Sequence, residues 1–126
     1  MPPQNANLIG LVDECPVPCA AADVHAPAAN TAAVVTYAAV PGLRHVISGI
    51  GWSYGVADPV GGNLKVEDVA GTEVFSMDIT TKGAGIVQFP KPKKSAAAGT
   101  ALIVTLAAGG GTSVAKVSVL NHWLES

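Results

Sequence analysis

The residues Gly51-Trp52-Ser53-Tyr54-Gly55 spell G-x-S-x-G. In that arrangement a nucleophilic serine sits on a strained strand-to-helix turn, its hydroxyl lifted toward a histidine and a carboxylate. His45, His122, Asp58 and Asp78 are its nominal partners. The surroundings argue the other way. Val56 to Gly62 is a turn that contains Pro59, so no helix runs on behind the serine. A chain of 126 residues is also too short for the repeated strand–helix–strand units on which such an elbow is built. The glycines are therefore read as part of the fold, and the chain as not an enzyme.

Three histidines, His25, His45 and His122, lack the i, i+2 or i, i+4 spacing of a local metal site. They read as partly buried or surface imidazoles hydrogen-bonded at strand ends. Cys15 and Cys19 bracket Pro16-Val17-Pro18. They are open to three readings: reduced thiols in a stiff segment, a local disulfide that the prolines hinder, or half of a metal site. His25 is the one further donor nearby, so local spacing cannot assemble four zinc ligands. No metal and no cofactor are expected. Glu67, Asp68, Glu73 and Asp78 are scattered over a hairpin and look like a solvated face. Phosphate-binding glycine loops are missing from the sequence, which has no Gly-Lys-Ser/Thr. Lys91, Lys93 and Lys94 place three of the seven basic residues in one short segment. That segment is either a solvated loop or an electrostatic contact with an acidic neighbour.

The elements that must position these residues are short strands. From Thr31 onward, runs rich in Val, Ile, Thr and aromatics are separated by Gly, Pro and Asn every eight to twelve residues or so, the spacing of a sandwich or barrel. The expected strands are Thr31 to Val40, Leu43 to Tyr54, Asn63 to Val69, Thr72 to Ile79, Gly85 to Phe89, Thr100 to Ala107 and Ser113 to Trp123. No helix is needed. Phe75, Met77 and Ile79 alternate with Ser76 and Asp78, which gives one core face and one wet face. Val46, Ile50, Trp52 and Tyr54 are expected on one face with Ser48 among them. The run Leu102 to Leu106 is apolar on both faces, hence central or covered. Ala70-Gly71 and Gly109-Gly110-Gly111 supply hairpin tips and so antiparallel pairing, and Pro41-Gly42 reads as a tight turn. Pro90 and Pro92 are expected to end the strand at Phe89, since neither can donate to a ladder.

Residues 1–20 differ from the rest. Four prolines surround the apolar group Leu8, Ile9, Leu11 and Val12, which reads as an extended arm in front of a domain over 21–126. Residues 20–29 read as an irregular lead-in. The start of the chain lacks the basic region and the long apolar core of a signal peptide, so a route without one is expected. No apolar run reaches the length of a membrane-spanning helix, and no membrane role is expected. The net charge of −2 lacks the basic footprint of a nucleic-acid binder. With 49% hydrophobic and 13% charged residues, the surface must be built largely from small polar groups, which suits burial against protein partners.

Several segments carry a resemblance. They are Val24 to Tyr37, His45 to Tyr54, Gly61-Gly62-Asn63-Leu64-Lys65-Val66, Val104 to Gly110 and Val119-Leu120-Asn121-His122-Trp123. Over about the last hundred residues the chain resembles small structural proteins of tailed bacteriophages and prophages, of the capsid decoration or cement type. The resemblance implies an all-β protein, an antiparallel, jelly-roll-like β-sandwich, in a group where an N-terminal arm is a common means of attachment. It also implies a virion location on the capsid surface after synthesis in the host cytoplasm. The partner would be the major capsid protein, and self-association would be as a homotrimer. The arm lies outside the resemblance. Its role as attachment element, through Leu8, Ile9, Leu11 and Val12, follows from composition, with Lys91, Lys93 and Lys94 as a second contact. The competing expectation is a tail- or fibre-associated module that binds a receptor or carbohydrate.

Overall fold

The computed structural model describes residues 23–126. The segment 1–20, with Leu8, Ile9, Leu11, Val12, Cys15 and Cys19, lies outside the described residues. Eight strands follow in order: β1 (Val24–His25), β2 (Ala33–Tyr37), β3 (Arg44–Gly55), β4 (Asn63–Asp68), β5 (Glu73–Asp78), β6 (Gly83–Lys94), β7 (Leu102–Leu106) and β8 (Val114–Glu125). No helix occurs among the described residues. The expected runs all appear, with ends shifted, and β1 is an addition within the stretch read as an irregular lead-in.

Two four-stranded antiparallel sheets form, ordered β1-β8-β3-β6 and β2-β7-β4-β5. Their inner faces meet in one core. Ile47, Ile50, Tyr54, Phe89, Ala115, Val117 and Val119 come from the first sheet, and Val35, Tyr37, Leu64, Val66, Leu102, Val104 and Leu106 from the second. Leu64, Leu102 and Leu106 are fully buried, each contributing about 1.5–3 kcal/mol of apolar burial. The alternation read in β5 holds: Met77 and Phe75 pack against the core while Ser76 and Asp78 are exposed. β7 is central, between β2 and β4, as its two apolar faces require.

Turn chemistry places the loops. Gly42, Gly71, Gly110 and Gly111 all have positive φ, the conformation glycine reaches without steric cost. Strand directions send the loops 56–62, 79–82 and 107–113 to one end of the sandwich, where Val60 N–H donates to Gly109 O at 2.8 Å. The loops 38–43, 69–72 and 95–101 gather at the other end.

Three expectations need correction. Pro90 and Pro92 do not end their strand, because β6 runs to Lys94. It is an edge strand, and between Ile47 and Gly49 its pairing with β3 jumps from Lys93 to Gln88. The four residues 89–92 therefore stand as a bulge opposite Ser48, outside the regular pairing, which removes the need for a proline donor. Val46 does not share the face of Ile50 and Tyr54: it is buried but stands apart from the central cluster, which takes Ile47 instead. The acidic hairpin is not uniformly solvated. Asp68 is 5% exposed and Glu67 9%, and both carboxylates accept hydrogen bonds. Asp68 takes Ala96 N–H at 2.6 Å and Thr100 Oγ1 at 2.8 Å, and Glu67 takes Gly71 N–H at 2.9 Å. Asp68 thereby fastens the loop 95–101 to the sheet.

Candidate functional site

A crease across the first sheet explains which side chains meet. On β3 the inward positions are Ile50 and Tyr54 on one side of Ser48, but Ile47 on the other, so the alternation changes phase at Ser48. The β3–β8 ladder pairs Ile47 with His122 and Gly49 with Leu120, and opposite the break stands Asn121 at φ 57°. Beside it lies the bulge of β6. Strict alternation after Ala115, Val117 and Val119 would point His122 outward. The left-handed backbone at Asn121, a conformation asparagine tolerates better than most residues, turns it in.

His122 then lies flat on Tyr37, ring centroids 3.8 Å apart and planes 3° from parallel. Its Nε2 is 2.9 Å from His45 Nδ1. His45 is 3% exposed, and its Nε2 lies 2.7 Å from Ala38 O. A carbonyl can only accept, so His45 Nε2 carries the hydrogen and its Nδ1 presents a lone pair. In the neutral pair His122 Nε2–H is therefore the donor to His45 Nδ1. The centroid separation of 5.1 Å is the nitrogen–nitrogen distance plus a ring radius on either side, so the imidazoles meet edge to edge. Burial lowers the proton affinity of His122, nearby His45 lowers it further, and Asp23 partly offsets both. The Tyr37 hydroxyl donates to Asp23 Oδ1. Burial first, and then that hydrogen bond, hold Tyr37 protonated well above the usual phenol range. The fold thus gathers Asp23, Tyr37, His45 and His122 at one end of the sandwich. His25 stands apart, accepting Val34 N–H on Nδ1 at 2.9 Å.

The serine motif lies elsewhere. Gly51 to Gly55 is extended backbone within β3, with Ser53 paired to Ala84 on one side and Lys116 on the other. Ser53 is eight residues along the strand from His45, roughly 26 Å at strand rise. The nominal partners Asp58 and Asp78 instead accept from Lys82 N–H and Asn63 Nδ2. Trp52 covers Gly85 so closely that a Cβ there would come within 2.5 Å of its ring. Tyr54 donates to Ala107 O at 2.6 Å, tying the two sheets together.

The three lysines project from the bulged edge of β6 and differ in their surroundings. Lys94 pairs with Glu125 at 2.8 Å. Lys93 Nζ lies 5.6 Å from the centre of the Phe89 ring, a cation–π contact. Lys91 is exposed and makes no ion pair among the described residues. Glu125 also accepts from Trp123 Nε1 at 2.9 Å. Lys94 chiefly, and Trp123 next, hold its carboxyl below the usual range. At the far end of the sandwich Val56 and Val60 are 69% and 80% exposed, and on the edge strands Ile86 and Val24 are 67% and 58% exposed. These apolar groups are scattered over loops and edges, where they are available for contact with another protein surface.

Sequence reasoning placed the lysines and the serine motif but did not bring His45 and His122 together. They are 77 residues apart, and the signal for their meeting is a single left-handed asparagine inside an otherwise regular strand. No family model matches the chain, and no curated protein matches it either.

Proposed function

We propose that this protein is a bacteriophage capsid decoration, or cement, protein that binds the outer surface of the head and stabilises contacts between major capsid proteins. The observation that carries the reading is the nesting of the strand pairs. β1 pairs with β8, β2 with β7, β3 with β6 and β4 with β5. A long ribbon of β1 to β4 lying antiparallel to β8 to β5, wound once around a common core, gives this set of neighbours. This nesting supports the jelly-roll reading, an architecture found among viral capsid proteins and lectins.

The low charge of the sequence and the scattered exposed valines support a protein partner over a nucleic acid. The arm over 1–20 is the favoured attachment element. Leu8, Ile9, Leu11 and Val12 each gain about 1.5–3 kcal/mol if buried against the capsid, and prolines reduce the entropy lost on ordering. Lys91, exposed on the bulge and without an ion pair among the described residues, is a cation open to an acidic neighbour, with Lys93 and Lys94 beside it. A homotrimer, synthesised in the host cytoplasm and mounted on the capsid surface, is the expected assembly. Lectins with the same strand order favour the second reading, a tail- or fibre-associated receptor- or carbohydrate-binding module. Sugar platforms need exposed aromatics, whereas Tyr37, Tyr54 and Phe89 are buried and Trp52 and Phe75 pack against the core. Counting copies in purified particles separates the two. Decoration predicts a number in fixed ratio to the major capsid protein, and a count limited to the few copies of a tail component overturns it.

A further inference from the structure

We propose that two copies of this chain associate through the side of the sandwich where β5 and β6 end the two sheets, the β6 edge of each copy lying beside the β5 edge of the other. The observation that carries it is a self-complementary pair of open strand edges. β5 and β6 each have a single strand neighbour, and they face one another across the core, where the rings of Phe75 and Phe89 meet with centroids 5.0 Å apart. Cover is incomplete on this side. Phe75, Met77, Val87 and, on the strand next to β6, Trp52 pack against the core but stay only partly buried, and Ile86 is exposed. Residues 84–88, Ala-Gly-Ile-Val-Gln, also lack the charges and prolines by which edge strands usually repel another strand.

Charge selects the occupant and its orientation. The strands of the first sheet carry Arg44, Lys91, Lys93, Lys94 and Lys116 against Glu125 alone, whereas those of the second carry Glu67, Asp68, Glu73 and Asp78 against Lys65 alone. Joining β6 to β6, or β5 to β5, sets like charges side by side. A twofold axis parallel to the strands instead brings the basic sheet of each copy into line with the acidic sheet of the other. β5 and β6 run in opposite directions, joined by the loop 79–82, so this rotation makes each new pair antiparallel. It leaves heights along the strands unchanged, and the contact of Phe75 with Phe89 therefore sets the register. Phe75 of one copy comes beside Phe89 of the other, Ser76 beside Gln88 and Met77 beside Val87. Opposed side chains then face the same way, Phe75, Met77, Phe89 and Val87 inward and Ser76 and Gln88 outward, as an antiparallel ladder requires. The same register sets Glu73 of one copy beside Lys91 of the other. Both are exposed, and neither makes an ion pair among the described residues. Pro90 has no N–H to donate, so the ladder is confined to the stretch 84–88. This pairing goes beyond attachment to a head: it is twofold where the assembly proposed above is threefold, and it engages Lys91 before any head is met.

The test needs no heads, so its outcome is separate from that of the decoration reading. Sedimentation equilibrium of the full chain at rising concentration should show association by pairs, with amide exchange over 84–88 slowing in step. Lys91→Glu and Glu73→Lys should each weaken that association roughly tenfold or more, because either substitution turns two attractive contacts into repulsive ones. Mixed in equal amounts, the two variants should associate as tightly as the parent, since the mixed pair sets a lysine beside a glutamate at both contacts. Both positions are exposed, and circular dichroism verifies that each variant keeps the sandwich. A parent that stays monomeric or stops at three copies would overturn the proposal. So would variants that associate like the parent, or a mixture that associates no better than its components.

Discussion

Replacing Asn121 with valine isolates the crease on which the histidine pair depends. Asn121 has φ 57°, a region that costs most side chains about 1–2 kcal/mol and β-branched ones the upper part of that range. Val56 and Val69 occupy the same region at φ 73° and 67°, so the fold tolerates such strain in loops. At position 121 the outcome divides two ways. If the backbone holds, the variant bears the left-handed cost. If it relaxes to extended geometry, His122 rotates outward and loses its hydrogen bond to His45, about 1 kcal/mol, together with its stacking on Tyr37, about 0.5–1.5 kcal/mol. Either route predicts a loss of roughly 1–3 kcal/mol. Asn121→Gly meets neither obstacle and should stay within about 1 kcal/mol of the parent, the residual being chain entropy. Urea denaturation of both variants gives the energies, and the His122 ring protons, shifted by the Tyr37 face in the parent, report orientation by NMR. A valine variant within about 0.5 kcal/mol of the parent that keeps the shifted His122 signals would refute the link between this backbone and the pair.

Other expectations follow from single contacts. Asp68→Ala removes the acceptor for Ala96 N–H and Thr100 Oγ1, and should cost about 1–3 kcal/mol while speeding amide exchange selectively in the loop 95–101. Val69→Asn relieves a left-handed valine that is 46% exposed, so thermal unfolding should show a gain of up to about 1 kcal/mol. Deleting residues 1–20 should abolish attachment to heads while circular dichroism still reports the sandwich, and unchanged attachment would remove the arm from the account. Charge reversal by Lys91→Glu should slow association with heads and flatten its salt dependence without altering stability, and rates indifferent to the change would exclude Lys91 from the contact.

What the sequence made legible was local. Alternation in β5 and the two apolar faces of β7 followed from period-two patterning, and Ala70-Gly71 marked the antiparallel pair β4 and β5; the turn at Gly109-Gly110-Gly111, expected to join paired strands, instead carries the chain from β7 in one sheet to β8 in the other. The failures lay where neighbouring strands override local preference. Pro90 and Pro92 read as a strand end, yet at an edge the ladder steps around them as a bulge. Val46 was placed on the wrong face because the phase change at Ser48 depends on Asn121 and on the bulge, which are distant in sequence. Asp68 looked solvated because its partners, Ala96 and Thr100, arrive from a loop about thirty residues later. The histidine pair was hidden for the same reason: neither imidazole has a local partner, and only the closed sandwich supplies one.

The most direct test of the central claim is to mix the purified full-length protein with phage heads assembled without it, and to measure bound protein at saturation by sedimentation and quantitative gel. The account predicts saturable binding in fixed ratio to the major capsid protein, with the decorated heads surviving heat or chelator that bursts bare ones. Binding confined to tails or fibres, or no binding to heads at any concentration, would contradict it.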